Sequence, residues 1–178
     1  MKPIILLTLL CFVSAVHAQT EFTIKPLFDL NTPQDEIACM LFDEGLVFMQ
    51  ADGPDFVNDY QWNERPKFSL RRAERGFDFS KWSKPEHFFK QPLNDIGPAS
   101  FSIEDSLMYF SSSENFDGAH GNQLKIYCCK WTGKRWSSPQ WMQWGADEAD
   151  YCHPHYIDDR RMLVFTSNRY GGMGGMDF

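Results

Sequence analysis

Apolar residues in this chain come in short runs broken by turn formers, and the 3.6-residue spacing of a helix is weak throughout. Such runs, rich in aromatic and β-branched residues, predict strands. In the middle of the chain they place strands at residues 98–103 and 107–112, joined by the turn Glu104-Asp105-Ser106. A polar loop over 113–123 leads to strands at 124–131 and 135–144, joined by Thr132-Gly133-Lys134. Further on, 153–157 and 162–167 flank the turn Asp158-Asp159-Arg160, and a glycine-rich stretch over 169–177 follows. Earlier, a looser set comprises 37–42, the turn Asp43-Glu44-Gly45, 46–50, a long loop, then 67–72 and 79–88.

These sets repeat. Trp82, Ser83 and Pro85 return as Trp136, Ser137 and Pro139, each 54 residues later. Phe101, Leu107, Phe110 and Ser112 return as Tyr156, Met162, Phe165 and Ser167, each 55 later, and Phe48 precedes Phe110 by 62. A fixed period of this length marks a repeat architecture whose units bury their apolar faces only against neighbours. Four antiparallel strands per unit is the content of one propeller blade. The expected fold is all-β: a β-propeller of four-stranded antiparallel blades, present as about two and a half of them. The units span 30–94, 95–147 and 148–178, after a lead-in over 19–29. Closed propellers need about 4 to 8 blades, so the expectation is a truncated piece of a longer protein.

The amino terminus reads as an export leader over residues 1–18. Lys2 precedes an apolar run over 4–16, and Val16-His17-Ala18 offers a small-residue cleavage site before Gln19. That run is shorter than the roughly 20 residues a membrane span needs, and no later segment is long and apolar enough. Once Lys2 departs with the leader, the formal charge of −7 becomes −8. An acidic chain lacks the basic stripe that nucleic acid demands. The local run Arg65, Lys67, Arg71, Arg72 and Arg75 reads as a solvated face. Four cysteines remain: Cys39, Cys128, Cys129 and Cys152. Export permits disulfides, but spacing leaves their state open between pairing and buried free thiols. Cys128 and Cys129, neighbours on a strand, should point to opposite faces.

The segments His153-Pro154-His155-Tyr156-Ile157-Asp158-Asp159, then 163–169, then Gly171-Gly172-Met173-Gly174-Gly175-Met176-Asp177-Phe178, resemble the TolB-like, WD-type β-propeller repeats of bacterial envelope proteins. Leu124-Lys125-Ile126-Tyr127 followed by Trp136-Ser137-Ser138-Pro139 is similar to the same pattern, as is the opening over 30–37. The organisation resembles the propeller region of OmpA-family proteins from the Bacteroidetes group. The chain departs from it at Asp159-Arg160-Arg161 and Ile103-Glu104-Asp105, where the family favours Asp-Gly turns. The resemblance covers residues 30–178. It implies that the repeat-signature residues Trp82, Pro85, Phe101, Phe110, Trp136, Pro139, His153, Pro154, Tyr156, Phe165, Ser167, Gly171, Gly172, Gly174, Gly175 and Asp177 serve structure.

Candidate chemistry is sparse. Cys152, His153 and His155 are weak metal candidates, since zinc takes four converging N or S ligands; strand alternation would put both histidines on one face. Packing is the preferred role. Asp147, Glu148, Asp150, Asp158 and Asp159 fix neither a glycosidase pair nor a calcium loop. The glycines of 171–177 lack the Lys and Ser/Thr of a phosphate loop, and no nucleophile elbow appears. Trp62, Trp82, Trp131, Trp136, Trp141 and Trp144 are expected chiefly to pack between units. The expectation is a non-enzymatic, cofactor-free module, exported to the periplasm or outer-membrane surface, that binds an envelope protein or cell-wall component. The alternative is the propeller part of an exported peptidase or glycan hydrolase.

Overall fold

A computed structural model describes residues 23–52, 67–77, 81–90, 95–113, 123–144 and 148–178. The leader, Arg65, Trp62 and Asp147 lie outside the described residues. The described chain is all-β, with one 3-10 turn at Asp158–Arg160. Ten strands form three open antiparallel sheets. The first sheet is β1 (Glu36–Phe42), β2 (Gly45–Asp52), β3 (Lys67–Glu74) and β4 (Glu86–His87) in chain order. The second repeats it with β5 (Ile96–Ser102), β6 (Leu107–Ser112), β7 (Lys125–Lys130) and β8 (Gln140–Trp141). The third pairs β9 (Tyr151–Ile157) with β10 (Met162–Ser167).

The repeated Trp-Ser-x-Pro phrase makes the same bonds in both full sheets. In the first, the Glu74 amide donates to the Ser83 hydroxyl at 2.9 Å and the Ser83 amide to the Glu74 carbonyl at 2.8 Å. In the second, the Lys130 amide donates to the Ser137 hydroxyl at 3.0 Å and the Ser137 amide to the Lys130 carbonyl at 2.8 Å. Trp82 bridges Arg75 as Trp136 bridges Trp131. The serine thus pins the returning chain to the end of the third strand. The proline that follows has no amide to donate, which suits an edge position. The fourth strands are accordingly only two residues long, far shorter than the 79–88 and 135–144 expected from apolar pattern.

Alternation along the strands sends successive side chains to opposite faces, and both faces of the second sheet are covered. Met108, Phe110, Tyr127 and Cys129 pack towards Val47, Met49 and Leu70 of the first sheet. Tyr109, Ile126 and Cys128 pack towards Tyr151, Tyr156, Leu163 and Phe165 of the third. The neighbouring cysteines do face opposite ways, and all four described cysteines are free thiols. On the far side of the first sheet, Leu30 covers Phe48 and Ala73, held by a turn in which the Asp29 carboxylate accepts from the Trp82 amide at 3.2 Å.

One irregularity recurs that the apolar pattern missed. The first strand of every sheet has a register shift near its start: at Ile37/Met40, at Ile96/Ala99, and opposite Val164/Thr166. Ala38 and His153 take left-handed backbone there, with φ of 53° and 52°. Pro98 and Pro154 inside these strands were the available signal, because proline within a strand goes to edges or bulges.

Candidate functional site

A cleft of about 530 Å³ opens between the second and third sheets. Leu107 and Tyr109 of β6, Lys130 of β7, and Met142 and Trp144 beyond β8 supply one wall. Tyr156 of β9, Leu163 and Phe165 of β10, and Arg161 before it supply the other. The walls are largely aromatic, with Tyr109, Trp144, Tyr156 and Phe165 among the lining residues. Tyr109 stacks on Tyr156 at 5.3 Å, and Trp144 on Phe165 at 4.6 Å. Offset stacking of this kind adds about 1 kcal/mol beyond area burial.

Asp105 sits at the mouth as a hub. It accepts the Tyr156 hydroxyl at 3.2 Å and pairs with Arg161 at 3.1 Å. The Ser102 hydroxyl bridges inward to Asp158 at 3.1 Å, and the Tyr156 amide donates to the Ser100 hydroxyl at 2.8 Å. These bonds all cross between sheets, so the turn acids Asp105 and Asp158 are stitches. Asp105 in turn raises the Arg161 guanidinium further above its usual range.

The Tyr109 phenol in the cleft wall and the neighbouring Cys128 thiol are held neutral. Burial, with smaller contributions from Cys128, Tyr156 and Asp105, pushes the Tyr109 phenol up to about 12. Burial pushes the Cys128 thiol up to about 11. A thiol so far from ionisation is a poor nucleophile, because the thiolate is the reactive form. The cleft therefore presents rings, a neutral phenol and the charges of Asp105, Lys130 and Arg161.

The other sequence candidates are scattered. His153 and His155 are both exposed. A register shift falls at His153, whose backbone is left-handed. Cys152 is buried, its sulfur 3.1 Å from the Thr166 hydroxyl. Among the described residues no three His, Cys, Asp or Glu side chains gather as a metal site. Asp150 accepts from the Leu124 amide at 2.8 Å and from the Asn168 side chain at 3.2 Å, another stitch between sheets. Asp177 accepts from the Gly174 amide at 2.9 Å, so the glycine loop folds around its own acid. Gly171, at φ 108°, takes a backbone that only glycine adopts readily.

The basic run is no bare stripe. Arg71 pairs with Asp52 at 3.2 Å, and Arg72 with Asp43 and Glu74 at 3.4 and 3.3 Å. Trp136 packs with Phe42, Phe88 and Phe101 between sheets, while Trp131 stays 40% exposed. Sequence reasoning missed Lys125, which is 1% exposed. Its ammonium donates to the Ala149 carbonyl at 2.7 Å and lies 5.7 Å and 5.4 Å from the Trp141 and Tyr151 rings. Among the described residues no helix is long and apolar enough to cross a membrane. Comparison with protein families, curated proteins and solved structures yields no match.

Proposed function

We propose that this chain is an exported, non-catalytic binding module of the bacterial envelope, a β-propeller segment of the TolB-like, WD-type kind. Its ligand is a cell-wall glycan held in the cleft between the second and third sheets. The observation that carries this reading is the cleft's make-up: Tyr109, Tyr156, Trp144 and Phe165 rings beside Asp105, Lys130 and Arg161. Sugars present flat apolar faces edged by hydroxyls, and rings flanked by hydrogen-bonding charges suit both. The neutral Tyr109 phenol and Cys128 thiol favour holding over turnover. Export rests on the leader over residues 1–18.

The test is retention of the purified chain on insoluble peptidoglycan, measured as a binding isotherm. Trp144→Ala should weaken binding by up to about tenfold, the worth of one aromatic contact, and Lys130→Ala by less. Absence of retention, or retention indifferent to both substitutions, refutes the cleft as the site. Release of soluble fragments by the chain would overturn the non-catalytic reading. Amino-terminal sequencing checks export: mature protein should begin at Gln19, and an intact Met1 form in the cytoplasm would contradict it.

A further inference from the structure

Residues 130–136 read Lys130-Trp131-Thr132-Gly133-Lys134-Arg135-Trp136, three cations and two indoles with no acid, in a chain whose formal charge is −7. They form the hairpin that leads from β7 towards β8. Trp131 bridges Trp136, the Thr132 amide donates to the Arg135 carbonyl at 3.0 Å, and the Thr132 hydroxyl donates to the same carbonyl at 2.7 Å. Gly133, at φ 84°, takes a turn backbone that glycine adopts at no steric cost. The hairpin is held in shape by its backbone and by Thr132, so its cationic side chains are not needed to hold it.

Those side chains face water. Residues 130–135 are all exposed, Trp131 at 40%. Among the described residues no acid pairs with Lys130, Lys134 or Arg135, whereas Arg71, Arg72 and Arg161 each have one. Nor does the fold require an indole at Trp131, because the matching bridge of the first sheet is made by Arg75 with Trp82. It is Trp136 that packs between sheets, on Phe42, Phe88 and Phe101. The Trp131 amide donates to the Ser106 carbonyl at 2.8 Å, which sets the hairpin beside the turn after β5. That turn adds Ile103, 62% exposed, and one exposed acid, Glu104, while Asp105 is engaged by Arg161. The two turns together offer Trp131 and Ile103 with three cations against one exposed acid.

We propose that this hairpin docks the protein on the surface of a bilayer containing anionic phospholipid, with Trp131 at headgroup level and Lys130, Lys134 and Arg135 against lipid phosphates. Charge complementarity selects the surface, since each cation near an anionic leaflet strengthens binding by about fivefold. The apolar residues select lipid over a soluble polyanion. Tryptophan concentrates at membrane–water interfaces, with its ring in the apolar boundary and its N–H in the wet layer. Ile103 beside it gains from the same boundary and would gain nothing from a polyanion in water. The contact is peripheral, and among the described residues no helix is long and apolar enough to cross the bilayer. It is distinct from the cleft, with which it shares only Lys130.

The experiment is cosedimentation of the purified chain with vesicles of phosphatidylcholine, alone or mixed equally with phosphatidylglycerol, with circular dichroism to confirm folding of each variant. The chain should bind the mixed vesicles at low salt and leave them at high salt, where screening shortens to a few ångström. Lys134→Gln combined with Arg135→Gln, both exposed sites, should weaken binding by roughly 25-fold, about fivefold for each cation. Lys130 stays unchanged, so the reading of the cleft is not at stake. Vesicles with brominated acyl chains should quench part of the tryptophan emission, and Trp131→Phe should remove that quenching. No binding to the mixed vesicles, equal binding to both kinds, or quenching unchanged in Trp131→Phe would overturn the proposal. Retention on heparin beads without vesicle binding would assign the hairpin to an acidic polysaccharide and overturn it too.

Discussion

Phe48, Phe110 and Phe165 hold one repeat position in three sheets, so truncating each to alanine measures how firmly successive sheets are seated. Phe110 is 0% exposed, packed on Tyr127 at 5.9 Å and Phe89 at 6.3 Å. Its removal leaves a cavity walled by two sheets and should cost about 4 kcal/mol, the middle of the range for buried Phe→Ala changes. Phe48 is nearly as buried, but among the described residues its cluster holds only Leu30, Ala73, Leu46 and Trp82. The turn carrying Leu30 can collapse onto the gap, so about 3 kcal/mol is expected. Phe165 is half-exposed and keeps one face towards Trp144 and Tyr151. Part of its surface never leaves water, and the cost should fall near ~2 kcal/mol. Urea unfolding followed by tryptophan emission gives the order through midpoint shifts at constant slope. Domains of ordinary stability hold about 5–15 kcal/mol. Should Phe110→Ala fail to fold, Phe110→Leu serves in its place, with the same rank expected against Phe48→Leu and Phe165→Leu. A loss below about 1 kcal/mol at Phe110, or a larger loss at Phe165 than at Phe110, would refute the inter-sheet core described above.

Ser83→Ala and Ser137→Ala each remove one hydroxyl that accepts from a strand-end amide, and each should cost about 1 kcal/mol by the same urea titration. Unequal effects beyond about twofold would mean the two phrases are not structural equivalents. The chain should lose stability in alkali. The Tyr109 and Cys128 values lie above their ordinary ones of 10.0 and 9.0, so the unfolded chain sheds these protons first. Their contribution is whole below about pH 9 and declines as pH climbs towards 12. Tyr109→Phe with Cys128→Ala should flatten that decline in a thermal-melting series, and an unchanged slope would contradict it. Thiol labelling of the native chain should modify the exposed Cys39 promptly and spare Cys129, whose thiol burial raises to about 12; equal rates would place Cys129 at the surface.

How far the sequence revealed this architecture depends on what each signal encodes. Residues 107–112 and 162–167 were located to the residue, because a short apolar run bounded by turn residues coincides there with a strand. The Trp-Ser-Pro echo exposed the repeat, because the same hydrogen bonds demand the same residues. Alternation carries no information about strand length at an unpaired edge, so the two-residue β4 and β8 were overdrawn. Nor does it register a shift of pairing, so the left-handed backbone at His153 was read as regular.

The cleft was less legible than the fold for a related reason. Asp105 and Asp158 look like ordinary turn acids in the sequence, and turns are where they sit. Their partners, Tyr156 with Arg161 and Ser102, lie about one repeat away along the chain. Lys125 is hidden in the same way: a lysine beginning a strand reads as exposed until the third sheet supplies the Ala149 carbonyl and the Tyr151 ring. Contacts within a sheet recur with the period and can be read from one unit. Contacts between sheets need the residues of two units at once, and here those residues differ from unit to unit. A repeat therefore announces its strands through what its units share, whereas any binding specificity must reside in what they do not share.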